Sequence, residues 1–169
     1  IGMDHFALKS DSLFKATEKK TLHRNFMGYT ANKTQLMIGL GMSSISDSWY
    51  GFSQNVKTVK EYEKLVNEGE VPVFRGHILS EEDLIIRKHI LNIMCHFSTS
   101  WEEDSLQIEN VENHLEKLQE MIDDDLVSVE KNSLYVPEKA RPYVRNICMA
   151  FDKKLHQKKP ETKLFSMTI

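Results

Sequence analysis

The residues of this chain whose types and spacing suit chemistry fall into a few small groups. The first is Gly39-x-Gly41, followed by Met42-Ser43-Ser44-Ile45-Ser46. Paired glycines let a backbone come close to a small molecule, and free N–H and C=O groups at Gly39, Gly41 and Ser43 can hold it. The same pair equally serves a tight turn: the third glycine of a dinucleotide fingerprint is missing, and no helix with a downstream acid follows. A second group sets polar residues among apolar neighbours, at Asp4-His5 and His23-Arg24-Asn25. An Asp–His pair suits proton transfer and an arginine suits a carboxylate, with buried hydrogen-bonded structure as the alternative. His89, Cys95 and His96 share a predicted helix, but the histidines stand two turns apart, ~10 Å, beyond joint reach of one zinc ion. Cys95 and Cys148 are the two cysteines. They make neither a disulfide framework nor a CxxC metal spacing and read as small core residues. Asp123-Asp124-Asp125 suits a cation or a solvated turn. No serine or cysteine has a histidine arranged to activate it, so no catalytic residue and no metal ligand is assigned.

Composition bounds the setting. The chain has 169 residues, 40% hydrophobic and 28% charged, with a net charge of −3, enough for one domain or one and a fraction. That balance argues against a general nucleic-acid binder. No apolar run approaches the ~18–20 residues of a membrane helix, and no basic stretch leads into an apolar one at the start. With two isolated cysteines, a reduced, cytoplasmic setting is expected. The chain opens IGMDHFALKS without an initiator methionine and is read as a fragment of a longer protein. Its charge is segregated: residues 101–125 carry ten acids and one lysine, whereas residues 126–169 carry nine bases and four acids. Two solvated helix faces explain the split, and attraction between the blocks is the alternative.

The elements that must position these groups are mostly helical in the second half. Ser80-Glu81-Glu82-Asp83 reads as an N-cap with acids in the first turn, leading into Ile86, Ile90, Ile93, Met94 and Phe97 at helical spacing. Ile108, Val111, Leu115, Leu118 and Ile122 predict a second amphipathic helix. Leu126–Val129 and Ser133–Val136 predict a hairpin ended by Pro137. A last helix follows over 138–158, with Pro142 in its first turns. In the first half, Ile1–Ala7 reads as a strand, Ser10 or Asp11 caps a short helix, and residues 35–41 read as a buried strand ending in glycines. A helix over Thr58–Asn67 is ended by Gly69, and Val71–Leu79 is extended. Helix, helix, hairpin, helix resembles a winged-helix unit. The helix before its wing carries Glu109, Glu112, Glu116 and Glu120, which would repel phosphate.

IGMDHFA (1–7), LHRNF (22–26) with GYT (28–30), IGLGMSSIS (38–46), FRG (74–76), RNICMAFD (145–152) and the closing Phe165-Ser166 carry a joint resemblance. Together they resemble the C-terminal third of the oxygen-independent coproporphyrinogen III oxidases, a radical S-adenosylmethionine family of haem biosynthesis. The resemblance covers essentially the whole chain. It implies a parent enzyme that decarboxylates two propionates of coproporphyrinogen III to vinyls, giving protoporphyrinogen IX. It also implies S-adenosylmethionine and a [4Fe-4S] cluster. The family's cluster cysteines, C-x3-C-x2-C, lie upstream of the resembling segment, and Cys95 and Cys148 cannot replace them. One contact carries over: the family's isoleucine against a second S-adenosylmethionine aligns with Ile45, with Gly39, Gly41 and Ser43 as neighbouring backbone. Met27 stands where some members carry glutamine, which removes a hydrogen bond there. A related haem-trafficking protein and a non-catalytic substrate-covering or interaction module are the alternatives.

The expected fold is α+β, mainly helical. Residues 1–77 form the tail of a radical-SAM catalytic domain, and residues 78–169 a winged-helix-like C-terminal domain, self-sufficient from residue 80. Ile90, Met94, Leu115, Leu118, Ile147 and Phe151 are its expected core. Phe6, Phe26, Trp49, Tyr50 and Phe52 would be poorly covered in a monomer, so self-association, a rearranged fold or partial disorder of this segment is expected. The expected partner is a small-molecule substrate, with neither nucleic acid nor membrane. Because the chain offers no triad of thiolates, anaerobic reconstitution is expected to give neither cluster nor decarboxylase activity. Stoichiometric iron and sulfide with a visible charge-transfer band would overturn that.

Overall fold

A computed structural model describes residues 1–3, 5–152 and 155 of the chain, which is α+β. Asp4, the end of the last predicted helix and Phe165-Ser166 lie outside the described residues. Local capping sets where the helices begin. Asp11 accepts from the Leu13 N–H at 2.7 Å to open α1 (Ser12–Glu18), and Thr58 does the same for Glu61 at α2 (Val59–Asn67). Gly69 follows α2 with φ +77°, a backbone that favours glycine. Ser80 and Asp83 form a reciprocal capping box at α3 (Glu81–His96), each side chain bonding the other's N–H.

Three antiparallel sheets surround α3. β1 (His23–Asn25) pairs with β2 (Gly28–Thr30). A four-stranded meander follows in the order β3-β4-β5-β6: Leu36–Met37, Ile45–Ser48, Gly51–Asn55 and Val73–Ile78. The third sheet, after α3, has the order β7-β9-β8 from Ser98–Ser100, Ser133–Tyr135 and Ser128–Glu130. Between β7 and β8 lie two short helices, α4 (Val111–Glu116) and α5 (Gln119–Asp123). A 3-10 helix (Glu138–Tyr143) then runs into α6 (Val144–Met149).

The core gathers around α3, α6 and the three-stranded sheet. Ile93, Leu118, Leu134, Val136, Val144, Ile147 and Phe151 are fully buried, joined from the first half by Ala16 and Leu22. Of the expected core, Met94, Leu118, Ile147 and Phe151 are buried, while Ile90 and Leu115 are half-buried at its margin. The Phe151 ring lies between two histidines, its centroid 6.4 Å from His89 and 5.4 Å from His114, nearly parallel to both. His89 is wholly buried and bonded at both ring nitrogens, Nδ1 to the Thr99 hydroxyl at 2.7 Å and Nε2 to the Leu106 carbonyl at 2.8 Å. A carbonyl only accepts, so Nε2 carries the proton and Nδ1 accepts from Thr99.

Several expectations need correction. Among the described residues of 1–7 there is no strand, only an isolated bridge from Gly2 to His5. The strand over 35–41 shrinks to two residues, and Leu40 is 82% exposed; apolar composition had suggested burial that this edge lacks. The helix over 108–122 breaks at Leu118 (φ −99°, ψ 1°). Lys117 and Leu118 separate the two helices without disturbing the apolar spacing, so the pattern cannot reveal the break. Phe97 is not in the helical stripe but ends α3 with φ +59°. The last helix begins as a 3-10 segment containing Pro142.

Truncating Phe151 to Ala is expected to cost about 3–5 kcal/mol, read by urea unfolding. Burial pushes the His89 pKa below its ordinary value. The unfolded chain therefore binds a proton at His89 that the folded chain resists. Stability is full above about pH 6.5 and falls as pH drops from there toward the folded pKa, by up to ~1.4 kcal/mol per pH unit for this one group. Replacing His89 with Gln is expected to flatten that slope in unfolding measured between about pH 7 and 5.

Candidate functional site in the cleft between the sheet and the long helix

The pleat of β4 decides what each residue near the glycines can reach. Ile45 pairs with Gln54 and Asp47 with Phe52, so these four side chains share one face; Phe52 pairs with His77 on β6 and extends it. That face looks onto α3 across a cleft of about 710 Å³ bordered by Arg24, Phe26, Asp47, Phe52, His77 and Arg87 among others. Ile45 lies one pleat beyond Asp47 and is half-buried.

Ser46 and Asn55 belong to the opposite face, and there they hold the glycine loop. Asn55 is buried and donates to the carbonyls of Gly39 at 3.0 Å and Gly41 at 2.9 Å. The Gly39 N–H donates to the Ser46 hydroxyl at 3.0 Å, the Gly41 N–H to the Tyr62 hydroxyl at 3.0 Å, and the Ser43 N–H to the Val56 carbonyl at 2.8 Å. The loop's polar backbone is therefore used internally rather than left for a ligand. A Cβ at Gly39 would stand 2.7 Å from the Ile45 carbonyl oxygen, so glycine is required for that approach. Gly39, Gly41 and Ser43 thus brace β4, while Ile45 faces the other way. The Ile45 side chain lies on the face that carries Asp47 and Phe52, whereas the loop's N–H groups at 39, 41 and 43 are bonded within the chain.

Arg87, from the middle of α3, organises the cleft. Its Nη2 reaches both carboxylate oxygens of Asp47, at 2.8 and 3.0 Å, and its Nη1 donates to the carbonyls of Ser48 at 3.0 Å and Trp49 at 3.3 Å. The guanidinium also lies 4.8 Å from the Trp49 ring centroid and 4.9 Å from that of Phe52. Sequence inspection missed this pair, since forty positions separate the partners and Asp47 sits in a stretch chosen for its glycines. Arg24 lies 4.7 Å over the Tyr29 ring, and its Nη1 is buried without a hydrogen-bond partner. Of the His23-Arg24-Asn25 cluster, Arg24 and Asn25 border the cleft and His23 does not. His5 packs edge-on against Tyr29 at 5.1 Å.

The cysteines are apart from this site. Burial pushes the Cys95 thiol up to about 12 and raises that of Cys148 as well, so neither is a ready thiolate ligand. Among the described residues no group of three or more His, Cys, Asp and Glu side chains converges on a metal position. An iron–sulfur cluster does not fit the residues of this chain.

No protein-family model matches the chain. Curated relatives do. It is 37% identical over 163 residues to the oxygen-independent coproporphyrinogen III oxidase of Salmonella typhimurium, covering 94% of this chain and 36% of that protein. The Helicobacter pylori protein of the same description is 34% identical over 90% of this chain and 34% of its own length. A solved structure described as coproporphyrinogen III oxidase from Escherichia coli, a radical SAM enzyme, matches with TM-score 0.84 and 36% identity. It covers 92% of this chain and 37% of that one. The chain therefore spans about a third of the length of the relatives it matches.

The side chains of Asp47 and Arg87 are only 9% and 15% exposed, so removing one partner strands a charge. Asp47→Ala is expected to lower stability by about 3–5 kcal/mol, and the apolar pair Asp47→Leu with Arg87→Met to recover part of it. Urea unfolding of the two single variants and the double variant checks both.

Proposed function

We propose that this chain is a segment of an oxygen-independent coproporphyrinogen III oxidase and forms part of the wall and cover of its cofactor and substrate cavity. The observation that carries the reading is the similarity to those oxidases over 94% of the chain, with the same fold in the solved relative. Residues 1–77 then complete the catalytic domain. Residues 78–169 form a winged-helix-like accessory domain, a reading supported by the β7-β9-β8 sheet, in which the strand after α3 joins the later hairpin. The complete enzyme would decarboxylate two propionates of coproporphyrinogen III to vinyls in the cytoplasm.

S-adenosylmethionine and a [4Fe-4S] cluster, held by residues beyond this chain, would supply the radical chemistry. What falls to the residues here is binding, orientation and the exclusion of water. Ile45 offers an apolar surface to the cofactor from the sheet face that continues into the cleft. The loop braced by Asn55 fixes the start of β4 and hence the position of Ile45. Arg24 borders the cleft, and a guanidinium suits a propionate carboxylate as a charge-assisted partner.

In the complete enzyme, Ile45→Ala is expected to weaken S-adenosylmethionine binding by about 1–3 kcal/mol, the worth of a desolvated isoleucine contact. Cofactor affinity and turnover would be measured with cluster content as control. Wild-type values for both would remove Ile45 from the site.

A further inference from the structure

A second cavity, of about 220 Å³, lies between α3 and the segments around β1. Leu91 borders both cavities, but their chemistry differs. The large cleft carries carboxylates. The small one is bordered by Lys20, Lys33, Lys88, His23 and His96, with Trp49 on one wall and no Asp or Glu in its lining. The lysines come from three separate places: just past the end of α1, beyond β2, and within α3. A chain with a net charge of −3 has thus gathered three ammonium groups and two imidazoles around one hollow. Like charges repel, and such a gathering raises the energy of the empty pocket unless an anion offsets it.

We infer that this pocket binds a small oxyanion, a carboxylate or phosphate group. Its volume is several times a water's share of liquid, ~30 Å³, which admits such a group and excludes a tetrapyrrole. Lys33 rests 5.7 Å from the Trp49 ring centroid, which holds one ammonium at the rim. His23 is buried. Burial lowers its pKa, reinforced by Lys33 and Arg87 and opposed by Asp47. Burial likewise lowers that of His96, reinforced by Lys20 and opposed by a hydrogen bond to the Cys95 backbone. An anion among these cations reverses the lysines' effect, so binding draws protons onto the imidazoles and tightens as pH falls. The inference rests on this lining alone and stands apart from the oxidase reading.

The test is a titration of the chain at about pH 6, where imidazoles respond, following the ring resonances of His23 and His96 by NMR. Inorganic phosphate and malonate are added separately, with sodium chloride keeping ionic strength constant. Saturable shifts and a rise in both ring pKa values are expected. Lys20→Gln, Lys33→Gln and Lys88→Gln are each expected to weaken binding about fivefold, the worth in water of one charge pair at ~4 Å. Lys20 and Lys33 are exposed, so these variants keep the test valid even if Lys88→Gln disturbs α3. Saturation by phosphate alone assigns a phosphate group, by malonate alone a carboxylate, and by both the shared oxyanion chemistry. Shifts that stay linear with either anion, or that chloride alone reproduces, overturn the inference. Unchanged affinity in both Lys20→Gln and Lys33→Gln does so as well.

Discussion

The Arg87 guanidinium joins parts of the chain that apolar burial alone would leave weakly connected. The four-stranded sheet contributes little to the main core: among its described residues Asp47 and Asn55 are buried, whereas its apolar Leu36, Phe74 and Ile78 are largely exposed. Docking this sheet against α3 falls largely to one planar cation that meets Asp47 with two bonds, two backbone carbonyls at the β4–β5 turn, and two aromatic faces. A lysine could supply the charge but not that fork of donors or the flat stacking surface. His77 Nε2, 3.4 Å from the Asp83 carboxylate, ties β6 to the first turn of α3 as well, and Phe26 meets Phe52 edge-on at 5.0 Å on the cleft margin.

The second constraint is the ring stack at Phe151. Two buried histidines flank it, and His114 Nδ1 bonds the Ala150 carbonyl at 2.9 Å, next to Phe151 in the chain. Both ring nitrogens of His89 and Nδ1 of His114 thereby carry hydrogen bonds into the middle of an apolar core. They tie α3, α4 and the end of α6 at fixed positions, where an all-aliphatic core would allow sliding.

How much of this was legible in the sequence follows from what kind of signal each feature leaves. Capping at Asp11 and Ser80 depends on residues within three positions of each other and was readable, as were the burial of Phe151 and the hairpin before Pro137. The strand Ser98–Ser100 was not, because three small polar residues show no alternation; it exists through pairing with β9 and the Thr99 bond to His89. At the site, the glycines announced a close backbone approach, which Gly39 makes. That the approach is to the protein's own Ile45 carbonyl, and that Asn55 holds the loop's carbonyls, are facts of strand pairing that no local spacing encodes. Arg87 with Asp47 is the same case at longer range.

The pleat of β4 gives variation in this segment a parity. Even-numbered positions turn toward the glycine loop and the internal bonding that keeps it shut, as Ser46 does with the Gly39 N–H. Odd-numbered positions turn toward the cleft, as Asp47 does with Arg87 and Ile45 does beside it. Changes at neighbouring residues should therefore fall into two unlike sets, one altering how the strand is built and the other what the cavity accepts. An insertion of a single residue would exchange the sets at a stroke, so the segment can drift in composition far more freely than in length.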